Sequence, residues 1–387
     1  MLRTRRGGPM TTHVLDDVLL PTMTLRESAL ASNAAVMQAY VDRHGLLFAP
    51  HMKTHMAPAL ARRQLDLGAW GVTVASVQQA VVAWRHGIHR ILVANEVLDP
   101  AGLAWIAGRR AEDPDGDVLF QVDSPAGVAA AATHGPLPVL VEVGFPGGRT
   151  GVRSPEDGIA LARTAHDAGL ELRGVTGYEG GLPGPDKARE YVRGVLAVTE
   201  AVRPLVSAPR MLLSMGGSAW FDAVVEAVED RPDDVDVLLR SGASLTHDDG
   251  FYAERTPFGR HPEEGRLEAA IRVWGRVTSA PEPGLVLVAV GKRDISFDEG
   301  LPVVREVRPG GTADARPVAP APGSVTVTRL DDQHCYLRAT DDAPALTPGD
   351  VVVFGISHPC TVFDKWHRVL VLADDDTVLD TIETEFR

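Results

Sequence analysis

Eight short apolar runs punctuate the first two thirds of the chain: Leu46–Pro50, Trp70–Ala75, Ile91–Ala94, Val118–Val122, Pro138–Gly144, Leu172–Gly177, Met211–Ser214 and Val235–Arg240. Each is four to seven residues long, rich in β-branched residues or leucine, and bounded by turn residues, which is the mark of a buried strand. Between them lie alanine-rich stretches with apolar residues at helical spacing, such as Val77–Trp84, Gly158–Ala168 and Lys187–Val202. A helical pattern over Leu25–His44 precedes the first run. Strand and helix alternating eight times over about 200 residues predict an α/β fold, a parallel (β/α)₈ TIM barrel, with a doubly wound sheet as the rival.

After about residue 265 the texture changes. Val273–Thr278, Leu285–Ala289, Val325–Leu330, His334–Arg338, Val351–Gly355 and Val369–Ala373 are short, several alternate apolar with polar residues, and Pro- and Gly-rich turns separate them. That pattern predicts an antiparallel β domain. The expected organisation is a disordered leader over 1–9, a barrel over 10–264 whose first residues can join the β domain, and the β domain over 265–387. Ala313–Gly323, a Pro/Ala stretch, reads as a flexible insertion.

Composition narrows the partners. Lys plus Arg minus Asp plus Glu is 38 − 52 = −14 over 387 residues, so the surface repels phosphate backbones and anionic lipids. Nucleic acid and membrane are therefore not expected as partners, and no apolar run approaches the roughly 18 residues of a spanning helix. Two cysteines exclude a disulfide framework and point to a reducing cytoplasm.

Candidate chemistry clusters at the carboxyl ends of the barrel strands, where barrel enzymes build their sites. Lys53 follows the first strand in Pro50-His51-Met52-Lys53-Thr54-His55, where partial desolvation would free its amine as a Schiff-base nucleophile. A solvated loop lysine is the plain alternative, and His51 and His55 read as hydrogen-bonded loop histidines. Ser214-Met215-Gly216-Gly217-Ser218 and Arg240-Ser241-Gly242-Ala243-Ser244, after the seventh and eighth strands, are small Gly-containing loops of the kind that holds a phosphate. A phosphate ester with a lysine at its reactive end describes pyridoxal phosphate. In the β domain, His358 and Cys360 flank Pro359; if extended, the segment puts both side chains on one face, and imidazole with thiolate suits Zn²⁺. Cys335 reads as a small buried hydrophobe.

These motifs resemble the D-serine dehydratase and D-threonine aldolase group of fold-type III pyridoxal phosphate enzymes, relatives of alanine racemase. The resemblance rests on Pro50–His55 and on Ser357–Trp366, with weaker matches at Gly291–Asp294, Asp298–Pro302 and Asp332–His334. It implies that Lys53 carries the cofactor, that His358 and Cys360 hold a divalent metal, and that the chain is a homodimer with one protomer's β domain over its partner's barrel mouth. It also implies that Arg149 lies against the cofactor's phenolic oxygen, that Tyr178 walls the site, and that Ser214, Gly216, Gly217, Ser218, Gly242 and Ala243 surround the phosphate. Arg240 would face the pyridine nitrogen and weaken the ring as an electron sink.

Two reactions of a D-β-hydroxy amino acid fit the resemblance. One is elimination of water from D-serine or D-threonine to a 2-oxo acid and ammonia; the other is retro-aldol cleavage to glycine and an aldehyde. In this group the aldolases pair His with Asp, whereas the dehydratases resemble His358-Pro359-Cys360, which favours elimination. A racemase fits less well, because alanine racemases carry no such metal segment. Small single-domain cofactor-binding barrels lack the β domain.

Overall fold

The computed structural model describes residues 12–113 and 115–386; the expected leader over 1–9 lies outside them. The chain divides into two compact units, one taking the residues up to Val36, Thr54–Ala59 and Ala243 onward, the other Met37–Lys53 and Leu60–Gly242.

The first strand, β1 (Thr22–Arg26), belongs to the unit described second below. The next eight are β2 (Leu47–Phe48), β3 (Val72–Val74), β4 (Arg90–Glu96), β5 (Asp117–Val122), β6 (Pro138–Glu142), β7 (Glu171–Thr176), β8 (Met211–Ser214) and β9 (Val235–Leu239). They pair in parallel in the order β2-β9-β8-β7-β6-β5-β4-β3. The gap between β3 and β2 is spanned by Trp70 N–H donating to Phe48 O at 2.7 Å and Thr73 N–H to Pro50 O at 3.0 Å. This is a near-closed barrel at the eight predicted positions, and it excludes the doubly wound sheet. Its interior is packed by Ala49, Leu92, Leu119, Leu140, Leu212 and Leu238, with Leu47 and Trp70 against them. Side chains of that size fill an eight-stranded barrel, so no pore runs through it.

The other unit is an antiparallel sheet with one parallel pairing. Its strands are β10 (Ile271–Glu282), β11 (Leu285–Val288), β12 (Val303–Arg308), β13 (Val325–Leu330), β14 (Cys335–Ala339), β15 (Val351–Gly355), β16 (Arg368–Leu372) and β17 (Val378–Glu383). The long β10 pairs with β1 and β15 along its first half and, past a bulge at Val277/Ser279, with β11. β1 lies between β10, antiparallel, and β16, parallel. Trp274 of β10 is buried among Val14, Leu15, Val351, Val353, Leu370 and Leu372, and its indole N–H donates to Thr24 Oγ1 at 2.9 Å.

Two expectations need correction. The helix predicted over Leu25–His44 spans Glu27–Arg43, because Leu25 and Arg26 are claimed by β1. The segment after Ser357 is not a strand: Pro359 opens a 3₁₀ turn, Pro359–Thr361, and a second follows at Phe363–Lys365. Proline's fixed φ suits the first position of a helical turn and removes a ladder donor. In the Pro/Ala stretch, Val318 forms an antiparallel bridge with Val307. No helix among the described residues is long and apolar enough to cross a membrane.

Candidate active site

In the barrel unit, a cavity of about 330 Å³ is walled by residues from the carboxyl ends of the strands. His51 and Lys53 follow β2, Gln121 and Glu142 stand on β5 and β6, Arg149 and Tyr178 follow β6 and β7, and Gly217 and Arg240 follow β8 and β9. Five residues singled out from the sequence thus line one space: Lys53, Arg149, Tyr178, Gly217 and Arg240. The Arg149 guanidinium lies 4.9 Å from the centre of the Tyr178 ring, a cation–π pair that gives both side chains a fixed partner at the rim. Arg240 is buried; its Nη1 donates to Thr176 Oγ1 at 3.2 Å and its Nη2 to Gly177 O at 2.6 Å.

The small loops divide by role. The Ser214 hydroxyl donates to Leu238 O at 3.3 Å and joins β8 to β9, so it stands behind the wall rather than in it. The Gly216 and Gly217 N–H groups both donate to the carboxylate of Glu179, a fully buried residue that sequence reasoning missed. The loop therefore presents two amides to a single carboxyl group, and a phosphate on them would have to displace Glu179. Ser218 Oγ and Ser241 Oγ lie 3.1 Å apart. At Gly242 an added Cβ would come within 2.6 Å of the His51 Cβ and carbonyl oxygen, so only glycine fits. Ala243 is buried and begins the other unit.

Glu142 was also missed, although a carboxylate ending a buried barrel strand is the signal that finds it. Its Oε1 accepts from Thr150 Oγ1 at 2.7 Å, and its Oε2 is buried without a hydrogen-bond partner. Burial raises its carboxyl above the usual range, while Thr150, Arg240 and Arg149 pull it down. His51 Nδ1 is likewise buried and unpartnered. Burial, then the charges of Lys53, Arg240 and Arg149, hold the His51 imidazole well below its usual range, so it is neutral at pH 7. An amine, two orphaned polar atoms and a glycine whose Cβ would lie 3.1 Å from the Tyr178 ring make a cradle that fits pyridoxal phosphate.

In the other unit, His358 and Cys360 do come together, through the turn instead of an extended strand. Cys360 and Asp298 both act on the His358 imidazole, whose Nδ1 donates to Asp298 Oδ2 at 2.8 Å. Burial works against the imidazolium, but Cys360 and Asp298 carry it up to about 9. Thr54 Oγ1 lies 3.4 Å from Cys360 Sγ. An imidazole and a thiol two residues apart on one turn fit a soft divalent cation. Among the described residues there is no group of three or more metal-ligating side chains, so two chain ligands would leave positions for water or substrate. His55 is buried and accepts from Ala57 N–H at 3.0 Å, and Cys335 is buried with its thiol pushed up to about 12. Trp366 donates to Asp294 O at 2.9 Å, which ties two of the matched motifs together.

The rings of Phe251 and Tyr252 stand 5.8 and 5.9 Å from His358. Their short helix, Phe251–Arg255, is preceded by Asp248, which accepts N–H bonds from Gly250, Tyr252 and Ala253. Burial pushes the Asp248 carboxyl up to about 6 despite those donors. The folded chain then holds a proton that the unfolded chain releases above about pH 4. Stability from this group is complete below that pH and is lost as pH rises through about 6, a total of about 3 kcal/mol. Denaturant melts across this range should show that slope in the parent and lose it in Asp248→Asn.

The family model for the alanine racemase N-terminal domain matches residues 25–238, and that described as "Putative serine dehydratase domain" matches 270–372. A D-threonine aldolase from Arthrobacter sp is 30% identical over 95% of this chain and 92% of its own. Among solved structures, D-threonine aldolase from Filomicrobium marinum superposes with a TM-score of 0.79 at 24% identity, covering 97% of this chain and 98% of its own. D-threo-3-hydroxyaspartate dehydratase from Delftia sp. HT23 gives 0.76 at 24% identity, covering 96% and 99%. The two structures share the fold, and the two family models together account for most of the sequence. The chain belongs to the fold-type III pyridoxal phosphate family that joins an alanine racemase N-terminal domain to a serine dehydratase domain.

Proposed function

We propose that the chain is a pyridoxal phosphate-dependent, metal-dependent lyase that eliminates water from D-3-hydroxy amino acids such as D-serine and D-threonine, giving a 2-oxo acid and ammonia. The carrying observation is the single cavity lined by Lys53, His51, Arg149, Tyr178 and Arg240. Pyridoxal phosphate bound there supplies an electron sink for the bond broken at the α-carbon. A divalent cation on His358 and Cys360, of which zinc suits the thiol best, supplies Lewis acidity toward a β-hydroxyl. Lys53 would hold the cofactor, and its amine would serve as the general base for the α-proton. Arg149 and Tyr178, paired at the rim, would orient the cofactor and substrate. Arg240, anchored by Thr176 and Gly177, keeps positive charge on the wall of the cavity.

Retro-aldol cleavage is the second reading, favoured by the 30% identity to D-threonine aldolase over nearly the whole chain. That reaction needs a base for the β-hydroxyl proton, and His51, neutral with an unpartnered Nδ1, is suited to it. D-Threonine separates the two. The expected products are 2-oxobutyrate and ammonia; glycine and acetaldehyde as the main products would replace the first reading by the second. Inertness toward both D-serine and D-threonine would sink both.

A further inference from the structure

We infer that Asp298 is the positioning carboxylate of the metal centre, fixing His358 in the tautomer that offers Nε2 to the cation and bracing the turn that carries Cys360. This rests on the metal reading above and concerns a residue 60 positions upstream of the ligands. Asp298 Oδ2 receives His358 Nδ1–H at 2.8 Å, and its Oδ1 receives the Thr361 hydroxyl at 2.6 Å. Thr361 closes the 3₁₀ turn Pro359–Thr361 that contains Cys360. Each carboxylate oxygen therefore holds one side of the pair, the imidazole directly and the thiol through its turn.

An imidazole can ligate through either nitrogen, and the hydrogen bond on one decides which remains for the metal. Phe251 and Tyr252 flank the His358 ring but offer its nitrogens no charged acceptor. Without Asp298 the ring would keep its packing and lose its tautomer preference. The loop bearing Asp298 approaches the same segment again two residues later: Gly300 has φ +110, and a Cβ there would lie 3.8 Å from the Ser357 side chain. The competing reading is an ordinary ion pair, since the Asp298 side chain is 41% exposed. Exposed pairs change stability little and have no bearing on metal affinity. A carboxylate behind a ligating histidine changes metal affinity about 10–100-fold. The two readings therefore differ in what is measured.

The test uses the cofactor-loaded protein stripped of metal, with Zn²⁺ alone as probe. Zinc affinity is read by competition with a chromophoric chelator, and the melting temperature of the metal-free form is read beside it. Asp298→Ala should weaken zinc by about 10–100-fold. Asp298→Asn, which still accepts the Nδ1 hydrogen bond but lacks the charge, should fall between it and the parent. Both should melt close to the parent when metal-free. Thr361→Val, which frees one carboxylate oxygen, should weaken zinc less than Asp298→Ala. Equal zinc affinity in the parent and both Asp298 variants would overturn the inference and leave the metal reading standing. A loss of affinity matched by an equal loss of metal-free stability would reduce Asp298 to a structural residue. A parent that takes up no zinc would overturn the metal reading and this inference with it.

Discussion

Lys53→Ala should lose turnover of any D-amino acid substrate by about 10⁴-fold or more, because one change removes both the covalent anchor and the α-proton base. Lys53 is placed for both tasks: it follows β2 in a short 3₁₀ turn and lines the cavity with His51, whose backbone is pressed against Gly242. Arg149 and Arg240 belong to the same wall. Borohydride reduction of the purified protein followed by peptide mapping should find the cofactor on Lys53, and the alanine variant should carry no reducible adduct. A stable adduct on another lysine, with activity retained, would remove Lys53 from the mechanism.

Cys360→Ala should lower turnover of D-serine or D-threonine by about 10²- to 10⁴-fold, the scale of several kcal/mol of Lewis-acid assistance. Binding of the cofactor should be unchanged, since the residues that line its cavity come from the barrel strands and none is in the Pro359–Thr361 turn. Removing metal with a chelator should reproduce the effect, and re-adding Zn²⁺ should reverse it in the parent but not in the variant. Cys360→Asp rebuilds a His and carboxylate pair and should retain metal while moving product toward glycine. Full activity in a metal-free Cys360→Ala protein would mean that the turn serves only the fold.

Most of the barrel could be read from the chain because a parallel strand is covered on both faces, so its residues run apolar without interruption. The strands that escaped notice, Thr22–Arg26, Val303–Arg308 and Val378–Glu383, lack that signature. Thr22–Arg26 is a strand only because Trp274 and the residues of β16 lie beside it, and in isolation its leucine and arginine read as the start of the following helix. Val378–Glu383 is paired only with β16 and carries Asp, Thr and Glu, which blur its alternation. The site divides in the same way. Lys53, His358 and Cys360 sit in local motifs that suggest their chemistry, whereas Arg149, Tyr178 and Arg240 stand out only through the family resemblance. Glu179 and Asp298 act on partners 37 and 60 residues away, through pairs of hydrogen bonds whose far ends no local pattern encodes.

The placement of β1 bears on how the molecule is made. Its partners include Leu370 and Val371, far along the chain, so the sheet cannot be completed until those residues have left the ribosome. Until then β1 waits with unpaired N–H and C=O groups, and a fragment beginning near residue 265 would expose the edges of β10 and β16 that β1 otherwise joins. Such a fragment should be prone to aggregate, and a circular permutant that fuses the original termini should shorten the wait by making β1 and β17 neighbours in sequence.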